Sequence, residues 1–194
     1  MNSLSKYFAL FLVSLVFTSL PAIAQSYSEI GFTANFRKSS IDEGNWQQTL
    51  SYTGSFSYYF WQTSAIELSY TQGLSELSVR PPDLPNDRML TQSYFSLIGL
   101  DLVASFADRR APFQPYVKLG SAFINKKIYR QLTGFNSTLI AESSGLVPSA
   151  GLGFRVLMTE TLSLRVGFDS WTNPLNERPL ILDYAARAGV SWMF

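Results

Sequence analysis

The chain has 194 residues, of which 15 are Lys or Arg and 14 are Asp or Glu, and it contains neither cysteine nor histidine. The near-neutral charge argues against a nucleic-acid partner, because binding DNA or RNA requires a basic patch. Without histidine and cysteine the chain lacks common metal ligands, thiolate nucleophiles and the side chain best suited to proton transfer near neutral pH. The aromatic share of 15% is high for a water-soluble protein and suits one that displays aromatic side chains to lipid.

The first 24 residues are arranged like a Sec-type signal peptide. A short segment with one positive charge precedes the apolar core Tyr7–Leu20, and Ala22 and Ala24 form the small-x-small pattern that signal peptidase accepts. Cleavage is expected before Gln25. The alternative is an N-terminal membrane anchor, but the apolar core has about 14 residues against the roughly 20 that a spanning helix needs. We therefore expect a signal peptide over 1–24 and one domain over 25–194.

The rest of the chain alternates apolar with polar or small residues. The clearest segments are Ser28–Arg37, Gln48–Phe60, Ile66–Thr71, Leu162–Asp169 and Tyr184–Phe194. Three others fit less cleanly: Gln92–Phe106, Phe113–Ile124 and Leu146–Met158. Successive side chains of a strand point to opposite faces, so each segment has one apolar and one polar face. The pattern predicts eight strands, with the upper half of the fourth ambiguous because Phe95 and Leu97 lie in phase with Asp101.

A soluble β-sandwich would also alternate. Here the polar faces carry mainly Gly, Ser and Thr with scattered charges, which suits a narrow enclosed lumen better than a solvated surface. The segments are also long for a globular sheet and suit strands tilted across a membrane. Among β-sheet structures, only a closed barrel satisfies every backbone group in lipid without leaving an edge. The sequence therefore predicts an all-β fold, an eight-stranded antiparallel transmembrane β-barrel with short periplasmic turns and longer extracellular loops.

The predicted connections alternate in length, as in bacterial barrels. The short ones are Trp61–Ser64, Ala107–Pro112 and Thr159–Glu160. The long ones are Ser39–Gln47, Leu74–Thr91, Asn125–Gly145 and Trp171–Leu180. An even strand count places both termini in the periplasm. Aromatic girdles are predicted from Tyr58, Tyr59, Phe60, Trp61, Phe106 and Trp192 on the periplasmic side, and from Tyr70, Tyr94, Trp171 and Tyr184 on the outer side.

The last residues resemble the assembly signal of a known family. Val190, Trp192 and Phe194 are apolar or aromatic residues at every second position up to a terminal Phe, the pattern that the barrel-assembly machinery reads. The strand sequences Pro115–Gly120 and Ser149–Phe154 also resemble sequences that recur in that family. Residues 25–194 thus resemble the small outer-membrane barrels that include OmpX-, OmpA- and opacity-type proteins. The resemblance implies the barrel fold, a Gram-negative outer-membrane location and contact with lipid and lipopolysaccharide. We expect a monomer without cofactors.

Parity along the strands directs nine charged side chains into the predicted lumen: Glu29, Arg37, Glu67, Asp101, Lys118, Arg155, Arg165, Asp169 and Arg187. Counting back from the hairpin centres places Asp101 opposite Lys118. The same counting places Arg155, Arg165 and Arg187 in one basic row, and Glu29, Glu67 and Asp101 on the facing wall. Buried charges persist only when paired, and an eight-stranded barrel is about wide enough for side chains to fill. We predict an ion-paired plug with at most small, gated conductance. The alternative is that these charges are hydrated near the two mouths.

These observations favour a structural or surface protein of the outer membrane. One alternative is a small-solute channel that favours anions because of the basic row. Another is adhesion or host interaction through the loops, with Leu74–Thr91 and the loop carrying Lys126, Lys127 and Arg130 as candidates. An enzyme is not expected, because the lipid A deacylases, palmitoyltransferases and omptin proteases that the chain would resemble rely on a histidine.

Overall fold

The computed structural model describes residues 27–42, 45–80, 88–132, 136–172 and 182–194. The predicted signal peptide and its cleavage residues, Ala22, Ala24 and Gln25, lie outside them. Among the described residues, no helix has the length and the hydropathy that crossing a membrane requires.

Eight antiparallel strands form a closed barrel, as the alternation predicted. They are β1 (Tyr27–Asp42), β2 (Asn45–Tyr59), β3 (Ser64–Val79), β4 (Met89–Ser105), β5 (Phe113–Leu132), β6 (Thr138–Leu157), β7 (Leu162–Thr172) and β8 (Leu182–Met193). Each strand pairs with its neighbours in sequence, and β1 closes the barrel by pairing with β8. The all-β, eight-stranded antiparallel prediction is confirmed.

Apolar side chains cover the outside of the barrel, and polar ones fill the inside. Phe32 and Leu100 are each 55% exposed, whereas Thr33 and Asp101, which follow them in the chain, are 8% and 5% exposed. We call the outward apolar side chains the apolar belt: Ile30, Phe32, Phe56, Ile66, Leu68, Ile98, Leu100, Leu102, Leu119, Phe123, Leu152, Phe168, Val190 and Trp192. This is the inverse of a water-soluble fold, in which the apolar face of a sheet packs inward.

The two ends of the barrel differ. At one end, here called the turn end, short links at 60–63, 106–112 and 158–161 join the strands, which agrees with the short connections predicted there. Ser28 and Phe194 also meet at this end. Their backbones exchange two hydrogen bonds, with N···O distances of 3.0 and 2.9 Å. The opposite end, the loop end, includes residues that the structure does not describe.

The long connections predicted from sequence are largely wrong. Most of 39–47 and 125–145 is strand, because β1 reaches Asp42 and β2 begins at Asn45, while β5 reaches Leu132 and β6 begins at Thr138. Within the predicted connection Leu74–Thr91, β3 continues to Val79 and β4 begins at Met89. Residues 81–87 and 173–181 lie outside the described parts.

Polar cross-strand pairs support these strand extensions. Gln92 donates to Glu76 at 2.8 Å, and Lys127 pairs with Glu142 at 3.0 Å. Such pairs stabilise a ladder without an apolar face. Each predicted strand ended where its apolar alternation ended, so the predicted strands were shorter than the observed ones.

Closure between β1 and β8 depends on a close backbone approach. Their pairing covers six residues on each strand, from Glu29 opposite Met193 to Ala34 opposite Ala188. Gly189 lies within it, and a Cβ atom at this position would overlap the carbonyl oxygen of Phe32 and the Cα of Thr33. Backbone atoms cannot move aside as a flexible side chain can, so the closing pair tolerates only glycine here.

We therefore expect Gly189→Ala to impair barrel closure and Gly54→Ala to be neutral or stabilising. Gly54 is the matched control, because a Cβ there would have no atom within 4 Å. Removing a glycine from open space in a strand stabilises by roughly 0.5–1 kcal/mol. The readout is the fraction of refolded protein that shifts in gel mobility on heating. Equal folding of the two variants would contradict this account of the closing pair.

Candidate functional site

The interior of the barrel holds a layer of charged side chains toward the turn end. Seven of them are at most 7% exposed: Glu29, Glu67, Asp101, Lys118, Arg155, Arg165 and Asp169. The side chain of Arg187 is 11% exposed. We call these eight residues the lumen network. It contains four carboxylates and four cations and is therefore neutral.

Glu29 on β1 is held by three groups. Its Oε2 accepts a hydrogen bond from the Tyr59 hydroxyl at 2.9 Å and lies 3.1 Å from Nη2 of Arg155. Its Oε1 lies 3.8 Å from Nη1 of Arg165. Arg155 also donates to the Tyr59 hydroxyl and, at 2.9 Å, to Oε1 of Gln114. A fully buried carboxylate and a fully buried guanidinium thus neutralise each other across the lumen.

Glu67 on β3 lies at the centre of the network. Its Oε2 is 2.5 Å from Nη2 of Arg165 and accepts from the Ser57 hydroxyl at 3.0 Å, while its Oε1 is 3.3 Å from Nζ of Lys118. Arg165 continues to the Tyr116 hydroxyl, which accepts from its Nε at 3.3 Å. One carboxylate therefore joins cations from β5 and β7.

Lys118 carries the network toward the loop end. Its Nζ lies 2.9 Å from Asp169 and 3.9 Å from Asp101, in addition to its contact with Glu67. Asp169 pairs in turn with Nε of Arg187 at 2.9 Å, and Asp101 accepts from the Ser149 hydroxyl at 2.6 Å. The contacts run without a break from β1 to β8.

The register differs from the sequence reading in two places. Asp101 lies opposite Gly120, not opposite Lys118, and Lys118 reaches it only through its long side chain. Arg155 and Arg165 are direct partners as predicted, but Arg187 lies opposite Gly167, two residues off the predicted row. A hairpin centre misplaced by one residue shifts every partner by two, which keeps the face correct and the partner wrong.

Arg37 does not join the network, which corrects its predicted membership. It is exposed near the loop end, and its guanidinium carbon lies 4.9 Å from the centre of the Tyr184 ring. No described carboxylate forms an ion pair with it. The parity of β1 gave the face of Arg37 but not its height along the barrel.

An apolar layer closes the lumen beneath the network, at the turn end. It contains Tyr27, Tyr59, Ala65, Val103, Tyr116 and Met193. The rings of Tyr27 and Tyr59 stack with centroids 4.1 Å apart, and the Arg109 guanidinium lies 3.9 Å above Tyr27. Tyr59 was predicted for the periplasmic girdle but is 1% exposed and faces inward. That prediction was wrong, because it set the alternation aside near the strand end.

A second apolar layer lies above the network. It contains Leu97, Ala122, Ile124, Val147, Trp171 and Ala185, with Phe95 packed against them. Trp171 was predicted for the outer girdle but is only 7% exposed, so this prediction was also wrong. The layer explains the ambiguity in β4: Phe95, Leu97 and Asp101 do share one face, and that face is the lumen.

The sequence reading did not single out Gln114, Tyr27 or Trp171 as interior residues. Each shares parity with a charge assigned inward: Gln114 with Lys118, Tyr27 with Glu29, and Trp171 with Asp169. Extending the alternation to the strand ends would have found all three.

A cavity of about 240 Å³ remains above the upper apolar layer, at the loop end; we call it the upper cavity. Hydroxyls of β2, β3 and β4, such as those of Thr49, Ser75 and Ser93, line one wall, and Trp171 and Ala185 line the other. No group of three or more carboxylates in the described parts of the chain is arranged to hold a metal ion. The lumen therefore offers fixed, paired charges in its centre and open polar space only above them.

Comparison with known proteins identifies the fold. No protein-family model matches the sequence, and no curated protein does. Among solved structures, the chain is similar to the N-terminal β-barrel domain of Pseudomonas aeruginosa OprF, with 17% identity over 88% of this chain and 98% of that one and a TM-score of 0.54. It is also similar to Neisserial surface protein A, with 16% identity over 87% and 97% and a TM-score of 0.58.

A third similar structure is the outer membrane protein OprG of Pseudomonas aeruginosa, with 14% identity over 88% of this chain and 96% of that one and a TM-score of 0.59. Identities at this level establish a shared fold and no shared activity. The chain has the fold of the small eight-stranded outer-membrane β-barrels.

We expect Arg165→Ala to destabilise the barrel by about 3–5 kcal/mol, because it leaves Glu29 and Glu67 buried without their shared cation. The measurement is urea unfolding in detergent, followed by tryptophan fluorescence. The control is Lys127→Ala, which removes a cation from a half-exposed pair with Glu142 and should leave the midpoint unchanged. Equal midpoints for both variants would show that the lumen pairs do not stabilise the fold.

Proposed function

We propose that this protein is an integral outer-membrane barrel of structural or surface type whose lumen is closed by the lumen network. The main support is the lumen network itself, a neutral set of eight charged side chains that lies between two apolar layers. The barrel that we propose has neither an aqueous path through its lumen nor a catalytic role. The protein acts as a stable, non-enzymatic barrel whose loop end is presented outside the cell.

The apolar belt supports residence in lipid. Leu119, Leu146 and Leu152 are each at least 60% exposed, and similar side chains surround the barrel. A water-soluble protein rarely exposes a continuous apolar surface of this kind, whereas a transmembrane barrel requires one. Closure of the sheet supports the same conclusion, because lipid offers no partner to an open strand edge.

Tight pairing in the lumen supports a closed interior. Every member of the network contacts an opposite charge within 4 Å, and polar neighbours such as Ser57 and Ser149 occupy further lone pairs. A conducting pore would need to keep water and ions moving between these charges. Pairs held directly at about 3 Å leave no layer of water between the partners.

The proposed route to the outer membrane has an export step and an assembly step. A Sec signal over 1–24 delivers the chain to the periplasm, and the barrel-assembly machinery recognises Val190, Trp192 and Phe194. These three side chains face outward and are 46%, 62% and 63% exposed. Both termini lie in the periplasm, so the loop end faces outward. There the exposed Arg130, with the outward-facing Lys127, contacts lipopolysaccharide phosphates around a monomeric barrel, whereas Lys126 lines the upper cavity.

We expect Leu100→Arg to impair folding into lipid and Gln72→Arg to be tolerated. Leu100 lies in the apolar belt, where an arginine at the bilayer midplane costs about 2–4 kcal/mol, against about 0–1 near the interface. Gln72 faces outward nearer the loop end, opposite Tyr52 and Ser96. Folding into phospholipid vesicles is measured across a urea series by gel mobility. If both variants fold at the same urea concentration, the belt is not embedded in lipid.

In planar bilayers the refolded protein should show no discrete conductance steps, because the lumen network fills the interior. Heat-dependent gel mobility confirms that the silent sample is folded. Arg165→Ala and Arg187→Ala are recorded beside it. Discrete steps from the unaltered protein, changed by either substitution, would replace the proposal with a small channel.

A further inference from the structure

The backbones of the first and last strands pair along only part of their length. The pairing of β1 with β8 ends at Ala34 opposite Ala188, although β1 continues to Asp42 and β8 begins at Leu182. Over the described residues 35–42 and 182–187, these strands pair with β2 and β7 and not with each other. We call this unpaired stretch the seam.

The seam lies beside the upper cavity. Asn35 and Arg37 on β1 and Ala185 on β8 line that cavity. Tyr184 lines it as well, although this side chain is on the outward face of β8, is 50% exposed and stacks on Phe168 of the apolar belt at 5.6 Å. Tyr184 therefore borders the cavity beside the stretch in which β1 and β8 are not paired.

Arg37 bridges the seam in place of backbone pairs. Its guanidinium lies over the ring of Tyr184, so an inward residue of β1 touches an outward residue of β8. It has no carboxylate partner among the described residues, and no described acidic side chain lines the cavity. Among the side chains that the structure describes, this cation therefore has no acidic partner at the point where the cavity meets the outer face.

Trp171 adds an unused hydrogen-bond donor. It lines the cavity and is 7% exposed, and its indole N–H is buried with no acceptor among the described residues. Leaving such a donor unsatisfied is unfavourable, and most buried indoles find a partner. The indole ring itself, with Phe95 and Ile124, provides apolar surface below.

We propose that the upper cavity binds an anionic single-chain amphiphile, which enters from the surrounding lipid through the seam. Its carboxylate or phosphate pairs with Arg37, and the adjoining part of its chain packs on the apolar surface of Trp171. The volume of about 240 Å³ is below the roughly 300–1,000 Å³ of sites that enclose a whole drug-sized ligand. The rest of the chain therefore extends through the seam along the apolar belt.

The site is separate from the closed part of the lumen. The upper apolar layer and the lumen network lie beneath it, so a bound molecule exchanges with the outer face and does not cross the barrel. Binding and conductance are consequently independent: an amphiphile can bind to a barrel that is silent in a bilayer, and a conducting barrel need not bind one.

Bromine quenching of Trp171 tests the proposal. The chain has four tryptophans, so Trp46→Phe, Trp61→Phe and Trp192→Phe leave Trp171 as the only one. This protein, folded in dodecyl maltoside, is titrated with 11-bromoundecanoate and with the trimethylammonium amphiphile of the same brominated chain. We expect saturable quenching by the carboxylate alone. No saturation, or equal quenching by the cation, would overturn the proposal.

Charge variants test the role of Arg37. In the same background, Arg37→Gln should raise the half-saturating concentration of the carboxylate about tenfold, equivalent to about 1.4 kcal/mol. Lys127→Gln is the matched control, because it removes a cation of the same end that faces outward and pairs with Glu142; it should have no effect. Equal shifts in both variants would show that surface charge in general attracts the carboxylate, and they would overturn the assignment to Arg37.

A crosslink tests the route of entry. Continuing the register places Phe36 opposite Ala186, so Phe36→Cys with Ala186→Cys puts two thiols across the seam of a chain that has no cysteine of its own. A short bismaleimide ties the strands together, and N-ethylmaleimide modifies both thiols without tying them. We expect the tied protein to lose quenching and the untied protein to keep it. Equal quenching in both would overturn entry through the seam.

Discussion

The structure depends on one constraint: charges inside a narrow barrel must neutralise one another. Glu67 satisfies this by contacting Lys118 and Arg165, and Glu29 by contacting Arg155. Because each partner comes from a different strand, the pairs also fix how the walls of the barrel face each other across the lumen. An isolated charge at any of these positions would cost several kcal/mol, so the network is stable only as a set. Exclusion of Arg37 is consistent with this, since the eight remaining members balance.

Alternation in the sequence is sufficient to predict most of the fold. It reports the face of every residue, and the inversion of faces, with apolar Phe32 outside and polar Thr33 inside, distinguishes a barrel in lipid from a soluble sheet. Strand number follows from counting segments, and closure follows from the need to pair every edge in lipid. Strand length does not follow, because the extensions of β5 and β6 beyond the belt rest on polar pairs such as Lys127 with Glu142.

The site is less predictable because it depends on height along the barrel as well as on face. Parity assigns Arg37 and Glu29 to the same face of β1, but only the register with β8 separates the exposed cation from the buried carboxylate. A hairpin centre must be known to within one residue to place Asp101 against its true partner, Gly120. Aromatics near strand ends mislead for a related reason. Tyr59 and Trp171 have the composition of a girdle, yet their parity turns them inward, where they form the layers that enclose the network.

The seam is subject to a similar constraint, because its backbone groups have no partner across the gap between β1 and β8. Backbone groups without partners are costly at membrane depth, so a strand edge left open there needs other contacts to offset the cost. The stack of Arg37, Tyr184 and Phe168 provides side-chain contacts across the gap, but it supplies no donors or acceptors to the backbone. Closure of the barrel therefore rests on the six pairs nearer the turn end, where Gly189 lets the two backbones approach. The strong closure and the lumen network lie toward the same end. The loop end depends on neither of them. A cavity there can open toward lipid without weakening the β1–β8 pairs that close the barrel.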